Sequence, residues 1–218
     1  MNKLITFEGI EGSGKTTQIE PIAKFLRENG HQVVTTREPG ATPTGKKIRS
    51  ILLDPENSNI SPLCELMLYG ADRAQHIYEV ILPSLKCGKI VLCDRFADAT
   101  VAYQGFGRGL DINLIDRIYK MVANVEVTDL KPDMTILFDL DPAIGLERTF
   151  KALKQGERSE NESRFEQERL DFHERVRRGY LEIAKREKDR FFIVDASTSK
   201  EEILNKIISQ IRFKTKLK

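Results

Sequence analysis

The sequence contains few of the residues that build disulfide, zinc or nucleic-acid sites. Its three cysteines, Cys64, Cys87 and Cys93, are odd in number and show no CxxC spacing, which argues against a disulfide framework and a zinc centre. The net charge of +2 comes from 35 basic and 33 acidic residues, and this balance disfavours a protein that coats nucleic acid. We therefore expect ordinary thiols in a reducing cytoplasm and no nucleic-acid partner.

Long hydrophobic runs are also missing. Apolar stretches such as Ile90 to Cys93 have the length of a buried strand, whereas a membrane-spanning helix needs roughly 18 apolar residues. Met1 to Phe7 lacks the charged start, long apolar centre and cleavage site of a secretion signal. We expect no membrane anchor. With 218 residues, 40% hydrophobic and 31% charged, the composition predicts one folded domain over 1–218.

Short apolar runs alternate with longer stretches of helical period, which is typical of βαβ units. Helices are expected around Ile19 to Leu26 with a kink at Pro21, along Leu63 to Ile81, and after a cap at Asp111. The predicted strands are 4–7, 33–36, 90–93, 135–138 and 191–194. Each is followed by a charged residue, and ligands of such folds bind beyond the carboxyl ends of the strands. The pattern predicts an α/β fold with a parallel five-stranded sheet flanked by helices.

The segment from Glu147 to Arg190 carries 24 charged residues. Most of these charges suit a solvated helix with ion pairs along its surface. A polar break at Gln155-Gly156 and at 159–163 separates two helical patterns. We expect an exposed lid segment at about 150–164, followed by a charged helix.

The strongest motif is GIEGSGKT at residues 9–16. It satisfies GxxxxGK[ST] between a predicted strand and a predicted helix, the context of a phosphate-binding P-loop. The glycines allow backbone N–H groups to face phosphate oxygens. Lys15 is expected on the β- and γ-phosphates and the Thr16 hydroxyl on Mg²⁺. The ATP-binding prediction covers Gly9, Ile10, Glu11, Gly12, Ser13, Gly14, Lys15, Thr16 and Thr17.

Other motifs separate the classes of P-loop protein. The DxxG and NKxD motifs of GTPases are absent, which disfavours guanine specificity. Asp94 and Arg95 directly follow a predicted strand, where Asp94 could orient Mg²⁺ or its waters and Arg95 could hold a second phosphate. The alternative is an ion pair between these two residues that closes the strand.

Tyr69 and Arg73 lie four residues apart on one predicted helix and therefore share a face. An aromatic ring beside guanidinium donors suits a pyrimidine that must be stacked and hydrogen-bonded. Helix packing with a surface arginine is the simpler alternative for this pair alone.

These motifs together resemble those of the thymidylate kinase family. The resemblance extends over nearly the whole chain and rests on FEG leading into the P-loop, REPG with Thr42-Pro43, ADRAQH at 71–76, DRF at 94–96, AYQG at 102–105 and RGL at 108–110. It implies a P-loop nucleoside monophosphate kinase fold, ATP as phosphoryl donor, dTMP as acceptor, Mg²⁺ at Thr16 and Asp94, and a homodimer.

The resemblance also implies roles for individual residues. Tyr69 stands where a stacking aromatic residue is expected, Arg73 and Thr100 meet the base, and Tyr103 and Gln104 line the sugar and base pocket. Glu8 is expected near the acceptor's 3′-hydroxyl and the metal. Arg37 and Arg95, with Arg49 as a third, are expected on the acceptor phosphate, where guanidinium groups can bond bidentately. The catalytic set is Lys15, Arg95, Glu8 and a lid cation.

The lid cation is implied because the P-loop contains Glu11 and no arginine. By the resemblance, the lid then supplies the catalytic charge, from Arg148, Lys151, Lys154 or Arg158, with Arg158 preferred. Since the acceptor is a phosphate oxyanion, no histidine base is required.

Two further hypotheses remain open at this point. The first is a kinase whose acceptor is a deoxynucleoside or another monophosphate. The set formed by Arg37, Arg73 and Arg95 disfavours an uncharged acceptor such as a deoxynucleoside. The second is a non-catalytic module that senses ATP or dTMP, although a sensor has no need of the set formed by Lys15, Thr16 and Asp94.

Overall fold

Five parallel strands form the centre of the molecule, in the order β2-β3-β1-β4-β5. They are β1 (Lys3–Glu8), β2 (Val33–Arg37), β3 (Ile90–Asp94), β4 (Met134–Asp139) and β5 (Phe191–Asp195). The structure is a computed structural model, and it describes residues 3–123, 130–156 and 159–215. All five predicted strands, the parallel sheet and the α/β class are confirmed.

The strand register brings the charged strand ends to one edge of the sheet. Phe7 of β1 is opposite Asp94 of β3, which is itself opposite Arg37 of β2. On the other side, Asp139 of β4 is opposite Asp195 of β5. Because parallel strands end at the same edge, the predicted grouping of charges there follows directly from the register.

Helices cover both faces of the sheet, because the central strands are buried and need apolar partners on each side. In the described residues they are α1 (Lys15–Glu28), α2 (Pro43–Leu53), α3 (Pro62–His76), α4 (Leu82–Lys86), α5 (Ala97–Thr100), α6 (Ile112–Ala123), α7 (Pro142–Lys154), α8 (Leu170–Arg186) and α9 (Lys200–Thr215). π-Helical turns occupy Ile77–Ile81 and Val101–Gly107, and short 3₁₀ turns occupy Pro55–Asn57 and Glu160–Glu162.

Local signals account for several of these boundaries. α1 contains Pro21 and ends at Glu28. Its C-cap is Asn29, followed by Gly30 with φ +83°, so the predicted helix stop at Asn29-Gly30 is confirmed. The Asp111 carboxylate accepts a hydrogen bond from the Asn113 N–H at the start of α6. Thr42 caps α2 by accepting from the Gly45 N–H, a helix that the sequence analysis did not identify.

The predicted lid overlaps structured elements at both ends. Residues 150–154 are the last turn of α7. Ser163 and Arg164, at the other end, are both buried. None of the described helices is long and apolar enough to cross a bilayer.

Candidate active site

The P-loop joins β1 to α1, and its geometry depends on glycine. Gly14 lies directly before α1 with φ +87°, and Gly12 has φ +68°. A Cβ atom at Gly12 would overlap the backbone carbonyl of Gly145, where the loop passes the first turns of α7. The loop therefore requires glycine for its backbone angles and for close approach to α7. The N-terminus of α1 is left available to an anion.

Lys15 is buried within this loop. Its Nζ donates to the carbonyl oxygens of Gly9 at 3.0 Å and Ile10 at 2.8 Å and to the Ser13 hydroxyl at 3.1 Å. Burial, and secondly the positive charge of Arg95, lowers the pKa of Lys15 to about 7. The Lys15 amino group is thus held at the centre of the loop, and an arriving anion favours its protonated form.

Thr16 and Asp94 meet at the carboxyl edge of the sheet. The Thr16 hydroxyl donates to Asp94 Oδ2 at 2.7 Å. The predicted pair of oxygen ligands is therefore brought together by α1 and β3. Asp94 is not paired with Arg95 among the described contacts, so the structural ion pair considered above is not the arrangement found.

A cavity of about 600 Å³, part of it open to solvent, lies beside the P-loop. Seven residues predicted to bind the acceptor line it: Arg49, Tyr69, Arg73, Arg95, Thr100, Tyr103 and Gln104. The lining residues come from six separate stretches of the chain, at 11, 38–39, 49–53, 69–73, 95–104 and 162–166.

Arg73 is fixed by a buried network at one end of the cavity. Its Nε donates to Glu38 Oε2 at 2.9 Å, and its NH2 donates to the Phe96 carbonyl at 3.1 Å and to Thr100 Oγ1 at 2.9 Å. The other Glu38 oxygen lies 2.9 Å from His76 Nδ1. These contacts orient the guanidinium rigidly, since the salt bridge between Arg73 and Glu38 is almost fully buried.

Arg95 lies at the other end, next to the P-loop. Its NH2 donates to Glu11 Oε1 at 2.9 Å and its NH1 to the Tyr180 hydroxyl at 3.1 Å. Its guanidinium lies over the Tyr103 ring, 4.9 Å from the centroid. Arg95 has φ +67°, the only non-glycine residue with positive φ in the described chain. Such backbone strain is typical of functional positions.

Glu11 of the P-loop faces this cavity. Besides Arg95, the Tyr103 hydroxyl donates to Glu11 Oε1 at 2.6 Å, and His173 Nδ1 lies 3.4 Å from Oε2. Burial opposes ionisation of this carboxyl, but the charge of Arg95 and the contact with His173 outweigh it and hold the pKa of Glu11 well below its usual value. Glu11 is therefore an anion at neutral pH.

Glu8 occupies a different environment from the one predicted for it. It is fully buried and does not line the cavity. Its carboxylate accepts hydrogen bonds from the Phe96 N–H at 2.7 Å and the Tyr180 hydroxyl at 2.8 Å. Burial, and secondly the charge of Asp98, raises the pKa of Glu8 to about 8. Glu8 supports the walls of the site, whereas Glu11 lines the cavity, as do Glu38, Glu162 and Glu166.

The two other arginines predicted for the acceptor phosphate are separated from each other. Arg49 lines the cavity, where its Nε and NH2 donate to Glu162 at 3.0 and 2.8 Å and its NH1 donates to the Pro39 carbonyl at 3.1 Å. Arg37 is exposed at the end of β2 and lines a neighbouring depression with Thr16. Arg37 therefore lies beside Thr16 and Asp94 in this structure and is not among the residues that line the cavity.

The lid candidates also differ in position. Arg148 NH1 donates to the Ala196 carbonyl at 3.1 Å and approaches the Gly12 carbonyl at 3.4 Å, which joins α7 to the P-loop. Lys151 and Lys154 are exposed in the last turns of α7. Arg158 lies outside the described residues.

Comparison with known proteins identifies the family of this chain. The sequence model of the family described as thymidylate kinase matches residues 7–207. The chain belongs to the thymidylate kinase family. A thymidylate kinase of Desulforapulum autotrophicum is 62% identical over 95% of this chain and 89% of its own length. That of Desulfosudis oleivorans is 50% identical over 95% of both chains.

The fold agrees with solved structures of the thymidylate kinase family. The crystal structure of thymidylate kinase from Ehrlichia chaffeensis matches with a TM-score of 0.75 at 34% identity, over 96% of this chain and 98% of that chain. The family assignment and the nucleoside monophosphate kinase fold predicted from the sequence are therefore confirmed.

Sequence reasoning missed several residues of the site. Glu38 was visible only as part of a motif, although it holds Arg73. Phe165 lines the cavity and packs edge-on against Tyr103, with ring centroids 5.5 Å apart. Tyr180 joins Glu8 to Arg95 from α8. The sequence places Phe165 and Tyr180 in a charged stretch, so no motif marked them.

Proposed function

We propose that this chain transfers the γ-phosphoryl group of ATP to dTMP, giving ADP and dTDP, as an enzyme of dTTP biosynthesis. One observation carries the proposal: the cavity lined by Tyr69, Arg73 and Gln104 ends at Arg95, which is hydrogen-bonded to Glu11 of the P-loop. A nucleotide seated in this cavity has its phosphate beside the loop that holds ATP. Residues 1–218 act as one domain, with the P-loop at 9–16 and a lid at about 150–164.

The donor is held by the P-loop. Backbone N–H groups of residues 9–17 and the N-terminus of α1 bind the phosphates, and Lys15 places its charge on the β- and γ-oxygens. Thr16 and Asp94 offer two oxygen ligands. Among the described residues no cluster of three or more His, Cys, Asp or Glu is arranged for a metal, which suits Mg²⁺, since Mg²⁺ takes few protein ligands and completes its shell with phosphates and water. Thr16 and Asp94 would hold Mg²⁺, which would supply neutralising charge to the phosphates.

The acceptor is held by complementary groups. The Tyr69 ring stacks on the base, Arg73 and Thr100 bond its edge, and Tyr103 fills the space that a ribose 2′-hydroxyl would need. Arg95 and Arg49 hold the acceptor phosphate, with Arg37 near the transferring group.

The reaction itself needs orientation and charge more than a base. An oxygen of the dTMP phosphate attacks the γ-phosphorus, the new phosphorus–oxygen bond forms, and the bond to the β-phosphate oxygen of ADP breaks. Because the attacking oxygen is already ionised at neutral pH, no proton has to be removed. The charge on the transferred group is stabilised by Lys15, by Arg95 and by a lid cation, for which Arg158 is our first choice and Lys151 and Lys154 are alternatives.

Glu11 is the acidic residue that we assign to the acceptor's sugar side. Its carboxylate is ionised and shares the cavity with Arg95 and Tyr103. Glu8, buried behind Phe96 and Tyr180, has a supporting role in this account.

The enzyme is expected to act as a cytoplasmic homodimer. Leu63, Met67 and Tyr78 share one face of α3 and the turn that follows it, and each is at least half exposed. Met121 of α6, which packs against α3, is 65% exposed. A second copy of the chain would cover these side chains. Light scattering should give the mass of a dimer for the wild type. The Tyr78→Lys variant should dissociate to monomers at higher protein concentrations than the wild type does.

A coupled assay of ADP release tests the main proposal. With ATP and Mg²⁺, dTMP should be consumed rapidly and UMP, CMP and AMP poorly. Lys15→Ala should abolish turnover while its circular dichroism spectrum remains that of the wild type. Equal turnover of all four monophosphates would remove the specificity claim. Binding of both nucleotides without ADP formation would favour the sensor hypothesis.

A further inference from the structure

Glu65 of α3 lies just outside the cavity and holds three side chains from other elements. It is fully buried. Its Oε1 accepts from Gln104 Nε2 at 2.8 Å and Arg108 Nε at 3.2 Å, and its Oε2 accepts from Arg108 NH2 at 3.1 Å and Arg164 NH2 at 2.7 Å. Hydrogen bonds to a charged partner are the stronger kind, so these side chains are firmly placed.

The bond to Gln104 decides which way its amide faces. A glutamine side chain has one donor end and one acceptor end. Since Nε2 is directed at Glu65, the amide oxygen is the end left for the cavity, which Gln104 lines. If the Gln104 amide were reversed, its oxygen would face the Glu65 carboxylate. Two hydrogen-bond acceptors would then be in contact in a buried environment, which is unfavourable.

Glu65 remains an acceptor under ordinary conditions. Burial would raise its pKa, but hydrogen bonds from Arg108 and the charges of Arg108 and Arg164 outweigh burial and hold the pKa of Glu65 below its usual value. An ionised carboxylate can only accept hydrogen bonds. The orientation of Gln104 is therefore enforced at neutral pH.

The cavity therefore presents a defined set of hydrogen-bond donors and acceptors to the edge of a base. Arg73 is a donor, and Thr100 Oγ1 already accepts from Arg73, so its hydroxyl hydrogen is free to donate. Gln104 supplies an acceptor. Thymine presents carbonyl acceptors and an N3–H donor, whereas cytosine presents an amino donor and an N3 acceptor. The pattern complements thymine and opposes cytosine.

We propose that Glu65 is the positioning residue that sets pyrimidine selectivity, by fixing the amide oxygen of Gln104 toward the base. The inference rests on the proposed function, because it takes the base of the acceptor to lie between Arg73 and Gln104. Glu65 touches neither the substrate nor the reacting phosphates.

Glu65 also ties the base pocket to the end of the proposed lid segment. Arg164 binds Glu65, and its own backbone N–H donates to the Leu53 carbonyl at the end of α2 at 3.1 Å. The neighbouring Phe165 lines the cavity. One buried carboxylate thus holds both the base-reading amide and the segment that closes the cavity.

The variant Glu65→Gln tests the proposal. A glutamine at this position can donate to a reversed Gln104 as well as accept from the present one, so both amide orientations become available. The ratio of kcat/KM for dTMP to kcat/KM for dCMP should fall about 10- to 100-fold, the range expected for loss of one charge-assisted hydrogen bond. Arg73 still favours thymine, so the preference should weaken and not reverse.

Arg164→Gln is the matched control. It removes the ion pair at Glu65 Oε2 but leaves Oε1 with Gln104, so activity should fall for both acceptors and their ratio should stay unchanged. If Glu65→Gln alone does not fold, the double variant E65Q/R164Q, which leaves no unpaired guanidinium from Arg164, is compared with R164Q. Circular dichroism checks folding in each case.

Coupling to Gln104 distinguishes orientation from general damage. In a Gln104→Leu background there is no amide to orient, so Glu65→Gln should no longer change the ratio of the two acceptors. An equal loss of kcat/KM for dTMP and dCMP in Glu65→Gln would overturn the inference. A wild type that phosphorylates dCMP as well as dTMP would instead overturn the proposed function.

Discussion

Glu11 and Arg95 are joined by a 2.9 Å hydrogen bond from NH2 to Oε1. Glu11 belongs to the loop that binds the donor, and Arg95 follows β3 and faces the acceptor cavity. The hydrogen-bonded pair of Glu11 and Arg95 therefore lies between the proposed sites for the donor and acceptor phosphates. In the proposed function, an incoming acceptor phosphate would compete with Glu11 for the same guanidinium, so this pair would set how closely the two nucleotides approach.

Replacing Glu11 should impair use of the acceptor more than binding of ATP. In Glu11→Ala, Arg95 and Tyr103 lose a common anionic partner, and kcat/KM for dTMP should fall about 10- to 100-fold. Steady-state kinetics with each substrate varied in turn measures the effect. A variant with wild-type kinetics for dTMP would contradict the assignment of Glu11 to the acceptor site.

Arg73 should not be replaceable by lysine. Its Nε and NH2 reach three acceptors at once, and an ammonium group cannot reproduce that planar geometry. We expect Arg73→Lys to lower kcat/KM for dTMP about 10- to 100-fold, while KM for ATP changes little. An increase in the ATP KM equal to that for dTMP would contradict the assignment of Arg73 to the base.

ATP binding should take up a proton above neutral pH. The pKa of Lys15 is lowered to about 7 in the free protein, and the phosphates of ATP favour its charged form. Below pH 7 Lys15 already carries the proton, so uptake should appear only as the pH rises through this value, and ATP affinity should weaken over the same range. Calorimetry at pH 8 in buffers of different ionisation enthalpy measures uptake. Lys15→Arg should show none, because arginine stays protonated.

Glu8 should make the free energy of unfolding depend on pH. Its pKa is about 8 in the folded protein against 4.5 for the ordinary carboxyl. Between these values the folded state holds a proton that the unfolded chain has released, so the stabilising contribution of protonated Glu8 is present below pH 4.5 and is lost as the pH rises to 8. Urea unfolding of wild type and Glu8→Gln should diverge between pH 6 and 8. Parallel curves would contradict the raised pKa.

The sequence predicted the parts of the molecule that depend on local pattern. The strands are near-continuous apolar runs, and the P-loop needs glycines at fixed spacing, so both were identifiable. Tyr69 and Arg73 share a helix face because of helical geometry alone. These features led to the correct fold and family and to half of the residues that line the cavity.

Long-range placement could not be predicted in the same way. Glu8 and Glu11 are three residues apart, yet the turn of the P-loop buries one and directs the other at Arg95. Arg37 is the last residue of β2, but its side chain lines a neighbouring depression with Thr16, while the next two residues, Glu38 and Pro39, line the cavity. The role of Glu65 depends on residues 39 and 99 positions away in the chain, which no local motif records.

The most direct test of the account is a crystal structure with dTMP and a non-hydrolysable ATP analogue bound together. A phosphate oxygen of dTMP should lie about 3 to 3.5 Å from the γ-phosphorus, with the base between Tyr69 and Gln104 and its phosphate on Arg95. A dTMP molecule bound elsewhere, or with its phosphate directed away from the P-loop, would contradict the account.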